Sequence, residues 1–364
     1  MSVPNTTLLS VLQGTFWIGD RSTNWFSWLA VVLLFAVPVS IKLLSRLHAK
    51  KQYDILFATL VDKHKSRAIK QYNAVAWGDA LSLQTCPELS RGWELATVRL
   101  EHDTTRFPLP NRYLSAYKDY FERYKEEKRF FNDGVKYMIV KNPIAFSDST
   151  HLVLHTRETR YSEVQFYRDN VATLASERDA LIAKAISGNI EFPHSLCMHL
   201  VVVTSDDKVL LTKRSDKVAY YPAMWSCSVE EQLASQDMDS DKQRAMSRWG
   251  DRFLLEELGL RNEVYNANNF RILSVFLETD SLNISLCAHV VLNVHSNELG
   301  QILRGLPRTD YEFTDWVLLS HEELLTELFD PTRPHHPTTA YRMLLALIRR
   351  YGEPVVAEKF FRHK

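Results

Sequence analysis

The residues best suited to chemistry lie in one short run, RFLLEELGL, which extends from Arg252 to Leu260. Glu256 and Glu257 are adjacent in it, and carboxylates grouped on a helix can share Mg²⁺, which can activate water. Arg252 precedes Glu256 at the i, i+4 spacing, at which two side chains can pair on a helix. Two interpretations stay open: a metal-assisted site, or a solvated helix surface with one structural ion pair.

The run resembles the second half of the Nudix box, R-E-U-x-E-E-x-G-U, in which U is a bulky aliphatic residue. The matching positions are Arg252, Leu254, Glu256, Glu257, Gly259 and Leu260. Three neighbouring segments also resemble the family: VLLTKRS (209–215), MWSCSVEEQ (224–232) and YEFTDWVLL (311–319). The resemblance implies a Nudix fold over about residues 193–350. It also implies a catalytic role for Arg252, Glu256 and Glu257, with the two glutamates as metal ligands.

The sequence departs from this family where metal ligands are expected. Phe253 replaces the first glutamate of the run, which is a metal ligand in the family. Met238 and Arg244 stand where the upstream half of the box has glycine and glutamate. Ala245, Trp249 and Phe253 follow one another at helical spacing, so this side of the helix is expected to be packed. A three-carboxylate cluster is therefore broken, and it stays open whether the chain is an enzyme.

A single Mg²⁺ is the cofactor that the remaining carboxylates imply. Glu256 and Glu257 would hold it, with Glu230 or Glu231 adding a carboxylate from the preceding loop. With one ligand position lost to Phe253, nucleotide binding is expected to survive better than efficient hydrolysis of a pyrophosphate.

The resemblance also implies a ligand cleft beside this helix. The candidate ligand-binding residues are Lys213, Arg214, Glu230, Glu231, Trp225 and Glu312. Lys213 and Arg214 are placed to meet a ligand phosphate, and an exposed charge pair on a hairpin is an equal alternative. Trp225, Tyr220 and Tyr221 border the same cleft and could stack on a base, although packing is favoured for Trp225.

The elements that must position these residues follow from the periodicity of the apolar side chains. The main predictions are a hairpin (199–204 and 209–212), a strand (224–232), a helix (241–258), a second hairpin (270–277 and 284–294) and a strand (312–319). Upstream, strands are predicted at 93–100, 136–140 and 151–155, and helices at 112–131 and 162–187. The fold class is α+β: an N-terminal transmembrane helix and a C-terminal Nudix-like mixed β-sheet between helices.

Two further groups of residues allow both a functional and a structural interpretation. Four aromatic residues share one face of the 112–131 helix: Tyr113, Tyr117, Phe121 and Tyr124. They could form a stacking platform for bases, but core packing or an oligomer contact is favoured. His335 and His336 lie between prolines, where a helix-entry loop is favoured over a metal site.

A membrane anchor is predicted before these elements. Residues 25–45 contain WFSWLAVVLLFAVPVSIKLL, which as a helix is long enough to cross the hydrocarbon core of a bilayer. Several basic residues follow between Arg46 and Lys51, whereas Arg21 is the only basic side chain before the span. The positive-inside rule therefore places the N-terminus outside and the C-terminal part in the cytoplasm. A cleaved signal peptide would carry its charges before the apolar stretch.

The 364 residues divide into five predicted parts. They are a short extracytoplasmic N-terminus (1–24), the transmembrane helix (25–45), a cytoplasmic α/β linker region of unknown fold (46–190), the Nudix-like domain (191–351) and a tail (352–364). The 44 basic and 44 acidic side chains balance, so nothing indicates a nucleic acid duplex as partner. The four cysteines are scattered, which argues against a zinc site or a disulfide framework.

A transmembrane helix joined to a Nudix-like domain resembles the effectors of bacterial cyclic-oligonucleotide (CBASS) anti-phage systems. The resemblance implies an inner-membrane protein that binds a cyclic oligonucleotide, self-associates as a homo-oligomer and disrupts the lipid bilayer. One alternative is a membrane-bound, Mg²⁺-dependent hydrolase of nucleoside diphosphate derivatives. Another is a non-catalytic membrane anchor that recruits partners.

Overall fold

The computed structural model describes residues 80–127, 133–218, 220–238, 244–306, 313–329 and 331–356. All of them belong to one unit of the chain, residues 56–364. The predicted anchor at 25–45 and the candidate Glu312 lie outside the described residues. Within the part that the structure describes, no helix is long and apolar enough to cross a membrane.

The strands lie in two sheets. In chain order the strands are β1 (Ala80–Thr85), β2 (Trp93–Glu94), β3 (Val98–Arg106), β4 (Val135–Ile139), β5 (Leu152–Arg160), β6 (Cys197–Val203), β7 (Lys208–Arg214), β8 (Trp225–Ser226), β9 (Val229–Gln232), β10 (Arg271–Glu278), β11 (Asn283–Val291) and β12 (Phe313–Ser320). The main sheet has the order β1-β10-β11-β6-β7-β12, with β2, β8 and β9 paired to β10, β7 and β6. The second sheet has the order β3-β5-β4.

The helices cover both faces of the main sheet. They are α1 (Leu114–Glu126), α2 (Tyr161–Phe166), α3 (Ala175–Ser187), α4 (Ala245–Leu258), α5 (Ser296–Gly305), α6 (His321–Phe329) and α7 (Thr339–Tyr351). One apolar cluster includes Trp249 of α4 and Leu299 of α5, and a second includes Leu324 of α6 and Leu347 of α7. Because β6 and β11 pair in parallel and the other neighbours run antiparallel, the predicted mixed sheet between helices is confirmed.

The apolar run CMHLVVV forms β6, which lies at the centre of the main sheet. All of β6 is buried, since it has neighbours on both edges and packed side chains on both faces. The two predicted hairpins are confirmed, β6 with β7 and β10 with β11. The predicted helix end at Gly259 is also confirmed. That glycine has a φ of 64°, and a Cβ there would lie 2.6 Å from Leu306.

Residues upstream of 190 contribute directly to this fold. β1 pairs with β10, and β2 pairs with the start of the same strand. The first apolar cluster contains buried residues from both sides of position 190, between Leu81 and Phe313. Residues on both sides of position 190 therefore share this core.

Three predicted elements are divided in the structure. The 224–232 strand becomes β8 and β9, which pair with β7 and β6. The 162–187 helix is divided into α2, a π-helical turn at residues 167–171 and α3. The 93–100 strand is divided by a helical turn at residues 95–97. Local periodicity does not reveal such interruptions, which depend on packing against the rest of the fold.

Candidate ligand-binding pocket

A cavity of about 510 Å³ lies where the main sheet meets β4 and α2. The main sheet and the segment before β6 supply the sheet wall: Ser195, Cys197, His199, Arg214, Glu230, Glu231, Gln232, Glu278 and Asn283. The second sheet, α2 and the π-helical turn supply the β4–α2 wall: Gly134, Lys136, Tyr161, Val164, Gln165 and Arg168. Loop residues complete the lining: Val218, Tyr220, Tyr221 and His336. The cavity thus combines charged, amide and aromatic side chains.

Glu230 accepts three side-chain hydrogen bonds at the wall of the cavity. Arg214 Nη1 donates to one of its oxygens at 2.8 Å, and Arg342 Nη2 donates to the other at 2.9 Å. Ser226 Oγ adds a third hydrogen bond at 3.0 Å. Burial by itself would raise the pKa of Glu230, but the neighbouring positive charges, with Arg214 first, hold it well below its usual range. Glu230 is therefore an anion with its partners in place.

Glu278 forms a second buried acidic centre beside it. Its Oε1 lies 3.2 Å from His199 Nε2 and accepts hydrogen bonds from Ser285 Oγ at 2.7 Å and Asn283 Nδ2 at 3.1 Å. Burial opposes ionisation, yet the hydrogen bond and attraction to His199 lower the pKa of Glu278 to about 2. These two acids and their partners fix the position of the sheet wall.

Arg252 connects the cavity to the α4 helix. Its guanidinium donates to both carboxylate oxygens of Asp237, at 3.0 and 2.8 Å, and to Glu256 Oε2 at 2.7 Å. The predicted pairing of Arg252 with Glu256 is therefore confirmed. Arg252 Nη1 also lies 3.4 Å from Glu231 Oε1, whose pKa is raised because burial outweighs the attraction of that arginine. Arg252 thus serves three carboxylates and does not itself line the cavity.

The α4 helix does not provide a Nudix-type metal cluster. Ala245, Trp249 and Phe253 are fully buried, so the predicted packed side of the helix is confirmed. Phe253 places a phenyl ring where the family has a metal-binding carboxylate. Glu256 is half exposed and engaged by Arg252, and Glu257 is 6% exposed. Among the described residues there is no group of three or more His, Cys, Asp or Glu that could hold a metal ion.

The predicted ligand-binding residues separate into two sets. Arg214, Glu230 and Glu231 line the cavity together. Lys213 does not line it, because successive residues of β7 point to opposite faces of the sheet. Trp225 packs against the second apolar cluster with Arg333 over its ring at 5.2 Å, as the favoured packing interpretation expects.

Several lining residues were absent from the sequence prediction. Lys136 and Arg168 come from the region whose fold could not be predicted, and no local pattern marks them. His199 and Glu278 did carry a signal, because each is a polar residue within a run of apolar, buried strand positions. His336 lies in the predicted helix-entry loop and also reaches the cavity, 3.9 Å from Glu230.

The aromatic residues give the cavity flat surfaces. The Arg168 guanidinium lies over the Tyr220 ring at 3.3 Å, and Tyr221 meets the His336 ring edge to face at 4.6 Å. Burial raises the pKa of Tyr220 to about 12, so its phenol stays neutral at physiological pH. A cavity with cations, amides and aromatic rings can bind a molecule that carries both an anionic group and a planar ring.

No protein-family model matches the chain, and no curated protein matches its sequence. Among solved structures, a NUDIX hydrolase from Alicyclobacillus acidocaldarius is similar at 13% identity over 42% of this chain and 91% of that one, with a TM-score of 0.31. A NUDIX hydrolase from Nitrosomonas europaea is similar at 12% identity over 42% and 88%, with a TM-score of 0.28. A bifunctional NMN adenylyltransferase/ADP ribose pyrophosphatase from Francisella tularensis, complexed with AMP and a Mn ion, shows 18% identity over 53% and 50%, with a TM-score of 0.32. What this cavity binds has to be inferred from its own side chains.

Proposed function

We propose that this protein is a nucleotide receptor, in which the cavity binds a nucleotide second messenger without cleaving it. The observation that carries the proposal is a cavity lined by charged, amide and aromatic side chains, beside a helix whose expected metal position is filled by the buried Phe253. Ligand binding needs only the cavity. Metal-assisted hydrolysis of a pyrophosphate also needs a cluster of carboxylates that holds the metal.

The ligand we propose is a cyclic oligonucleotide. Each of its repeating units offers a base and a phosphodiester, which suit a cavity lined by Tyr220, Tyr221 and several basic side chains. The resemblance of the RFLLEELGL run to the Nudix box supports a nucleotide ligand, and the architecture predicted from the sequence supports a cyclic one.

The output we propose is a change at a membrane. The apolar run at 25–45 supports a single span, and the basic residues after it support a cytoplasmic C-terminal part. In this proposal ligand binding drives homo-oligomerisation at the bacterial inner membrane, and the assembled spans disrupt the bilayer in anti-phage defence.

A second candidate is a Mg²⁺-dependent hydrolase of nucleoside diphosphate derivatives. It is favoured by the retained Glu256 and Glu257 and by the ion pair of Arg252 with Glu256. A metal held by these two glutamates would have to displace that ion pair, because Arg252 already occupies Glu256 Oε2 at 2.7 Å.

One experiment separates these functions. The full chain in lipid nanodiscs is titrated with cyclic dinucleotides, cyclic trinucleotides and ADP-ribose in the presence of Mg²⁺, and binding is followed by calorimetry. The same samples are analysed for products by chromatography. The receptor proposal expects binding of a cyclic oligonucleotide that is recovered intact. Product formation that disappears in Glu256→Gln and Glu257→Gln would establish the hydrolase instead, and no binding at all would leave a partner-recruiting anchor.

A further inference from the structure

Two basic side chains of the β4–α2 wall contact aromatic rings but form no ion pair with a residue that the structure describes. Lys136 lies in β4, and Arg168 lies in the π-helical turn that follows α2. Both line the cavity beside Tyr161. The Tyr161 ring centre lies 5.4 Å from Lys136 Nζ, and the positive charge of Arg168 acts to lower the pKa of the Tyr161 phenol. They therefore border one part of the cavity, although 32 positions separate them in the sequence.

The charges of the cavity are unevenly compensated. On the sheet wall each acid has a basic or imidazole partner: Glu230 has Arg214 and Arg342, Glu278 has His199, and Glu231 has Arg252. Lys136 and Arg168, in contrast, form no ion pair with any residue that the structure describes. The lining as a whole has three basic and three acidic side chains, and the two cations that form no ion pair with a described residue both lie on the β4–α2 wall.

The partial burial of Lys136 makes its charged ammonium group unfavourable unless an anion lies beside it. Burial lowers the pKa of its ammonium group, and the more distant attraction of Glu231 offsets only part of that effect. A partly desolvated ammonium without a counter-ion is unfavourable, so it is more often found where a ligand supplies the opposite charge.

The contacts of Arg168 also suit an anionic ligand. Its guanidinium stacks over Tyr220 at 3.3 Å, which fixes the plane of its donors, and its buried Nε has no hydrogen-bond acceptor. A planar guanidinium with donors to spare matches two oxygens of a phosphate group.

We infer that Lys136 and Arg168 form an anion subsite that takes a phosphate group of the ligand. The inference rests on the proposed nucleotide-binding function and deepens it. It assigns phosphate recognition to residues 136–168, which precede the segment that resembles the Nudix family. The ligand is then held between the sheet wall and the β4–α2 wall, across the boundary that the sequence predicted at 190/191.

The subsite is tested in the full chain with Lys136→Gln, Arg168→Gln and the double variant. The matched control is Lys141→Gln, which removes an exposed lysine just after β4. The probes are a cyclic trinucleotide, a cyclic dinucleotide and inorganic pyrophosphate, each titrated at low and at high salt. We expect each cavity substitution to weaken binding of the nucleotide at least about tenfold and to reduce its salt dependence, because a charge-assisted hydrogen bond is lost. Lys136→Arg should restore part of the affinity.

The outcomes distinguish the subsite from the proposed function. If the wild-type chain binds a cyclic nucleotide and the Lys136 and Arg168 variants bind it equally well, the subsite is wrong while the receptor function stands. If the wild-type chain binds neither a cyclic nucleotide nor pyrophosphate, the receptor function fails and the subsite fails with it. A loss of affinity in Lys141→Gln equal to that in Lys136→Gln would show a nonspecific charge effect and would also overturn the subsite. Circular dichroism of each variant identifies any that do not fold.

Discussion

Single residues decide what the α4 helix can do. Phe253 is fully buried in the first apolar cluster. Its neighbour one turn before, Trp249, is buried with it. This side of α4 is thus a packing surface, and the neighbouring Arg252 binds carboxylates.

Replacing Phe253 by glutamate should therefore destabilise the protein rather than restore catalysis. An unpaired carboxylate would be placed in an apolar core, at a cost on the order of 4 kcal/mol of unfolding free energy. Phe253→Leu is the control and should cost less than about 2 kcal/mol, since it keeps an apolar side chain at the site. Urea denaturation measures both. A Phe253→Glu protein of unchanged stability that binds Mg²⁺ would show that this side of the helix is not packed.

Arg252 is expected to be a structural residue of high importance. Arg252→Gln removes the partner of Asp237, which is 1% exposed, and should lower the unfolding free energy by about 3–5 kcal/mol. Arg350→Gln breaks an ion pair with Asp207 in which both side chains are about half exposed, and it should cost less than about 1 kcal/mol. Equal effects of the two substitutions in denaturant titrations would contradict this view of Arg252.

At the scale of elements, a histidine joins the two sheets. The backbone N–H of Ile139 in β4 donates to His194 Nε2 at 3.0 Å, and the other ring nitrogen lies 3.1 Å from the carbonyl oxygen of Phe192. This arrangement needs a neutral imidazole with its proton on Nδ1. Burial lowers the pKa of His194 to about 3, so protonation would break the connection between β4 and the segment that leads into β6.

The stability of the protein should therefore fall in mild acid. His194 and His336 are buried with pKa values lowered from 6.5 to about 3, so the unfolded chain binds more protons than the folded protein in that interval. The stability that the two neutral histidines contribute is fully present above about pH 6.5. It is lost as the pH falls towards 3, and the unfolding free energy then decreases by up to about 1.4 kcal/mol per pH unit for each group. Glu278, lowered from 4.5 to about 2, extends the loss below pH 4.5.

Urea titrations between pH 7.5 and pH 4.5 measure this slope. His194→Gln should flatten it by removing one titrating group. A wild-type unfolding free energy that stays constant over this range would contradict the buried neutral state of both histidines.

The elements also show how far sequence alone could reach. Hairpins, helix ends and the packed side of α4 were predictable, because they depend on periodicity and on residues such as Gly259 that act locally. The pairing of β1 with β10 was not, because it joins segments that are far apart in the chain. For the same reason the sequence prediction included the lining residues Arg214, Glu230 and Glu231, which lie near the recognisable motif, and did not include Lys136 and Arg168.

In the proposed function, a ligand cavity acts on a membrane anchor that is predicted from the sequence. A charge-balanced chain gives no general attraction to nucleic acid, so recognition must come from the cavity itself. The affinity for the ligand and the effect on the bilayer should therefore be separable by changing different parts of the chain.

Vesicle leakage tests this separation. The full chain reconstituted in dye-loaded vesicles should release the dye when the cyclic oligonucleotide is added, and a chain lacking residues 1–48 should not. The shortened chain should still bind the ligand with an affinity within about threefold of the full chain, a difference of about 0.6 kcal/mol. Ligand-dependent leakage by the shortened chain would exclude the predicted span as the source of the effect.

The central claim is that the cavity binds a nucleotide and leaves it intact. Its most direct test is a single sample of the full chain with Mg²⁺ and a bound cyclic oligonucleotide, from which the ligand is recovered and quantified after prolonged incubation. We expect stoichiometric binding with all of the ligand recovered unchanged. Cleaved ligand or released phosphate, abolished by Glu256→Gln, would contradict it.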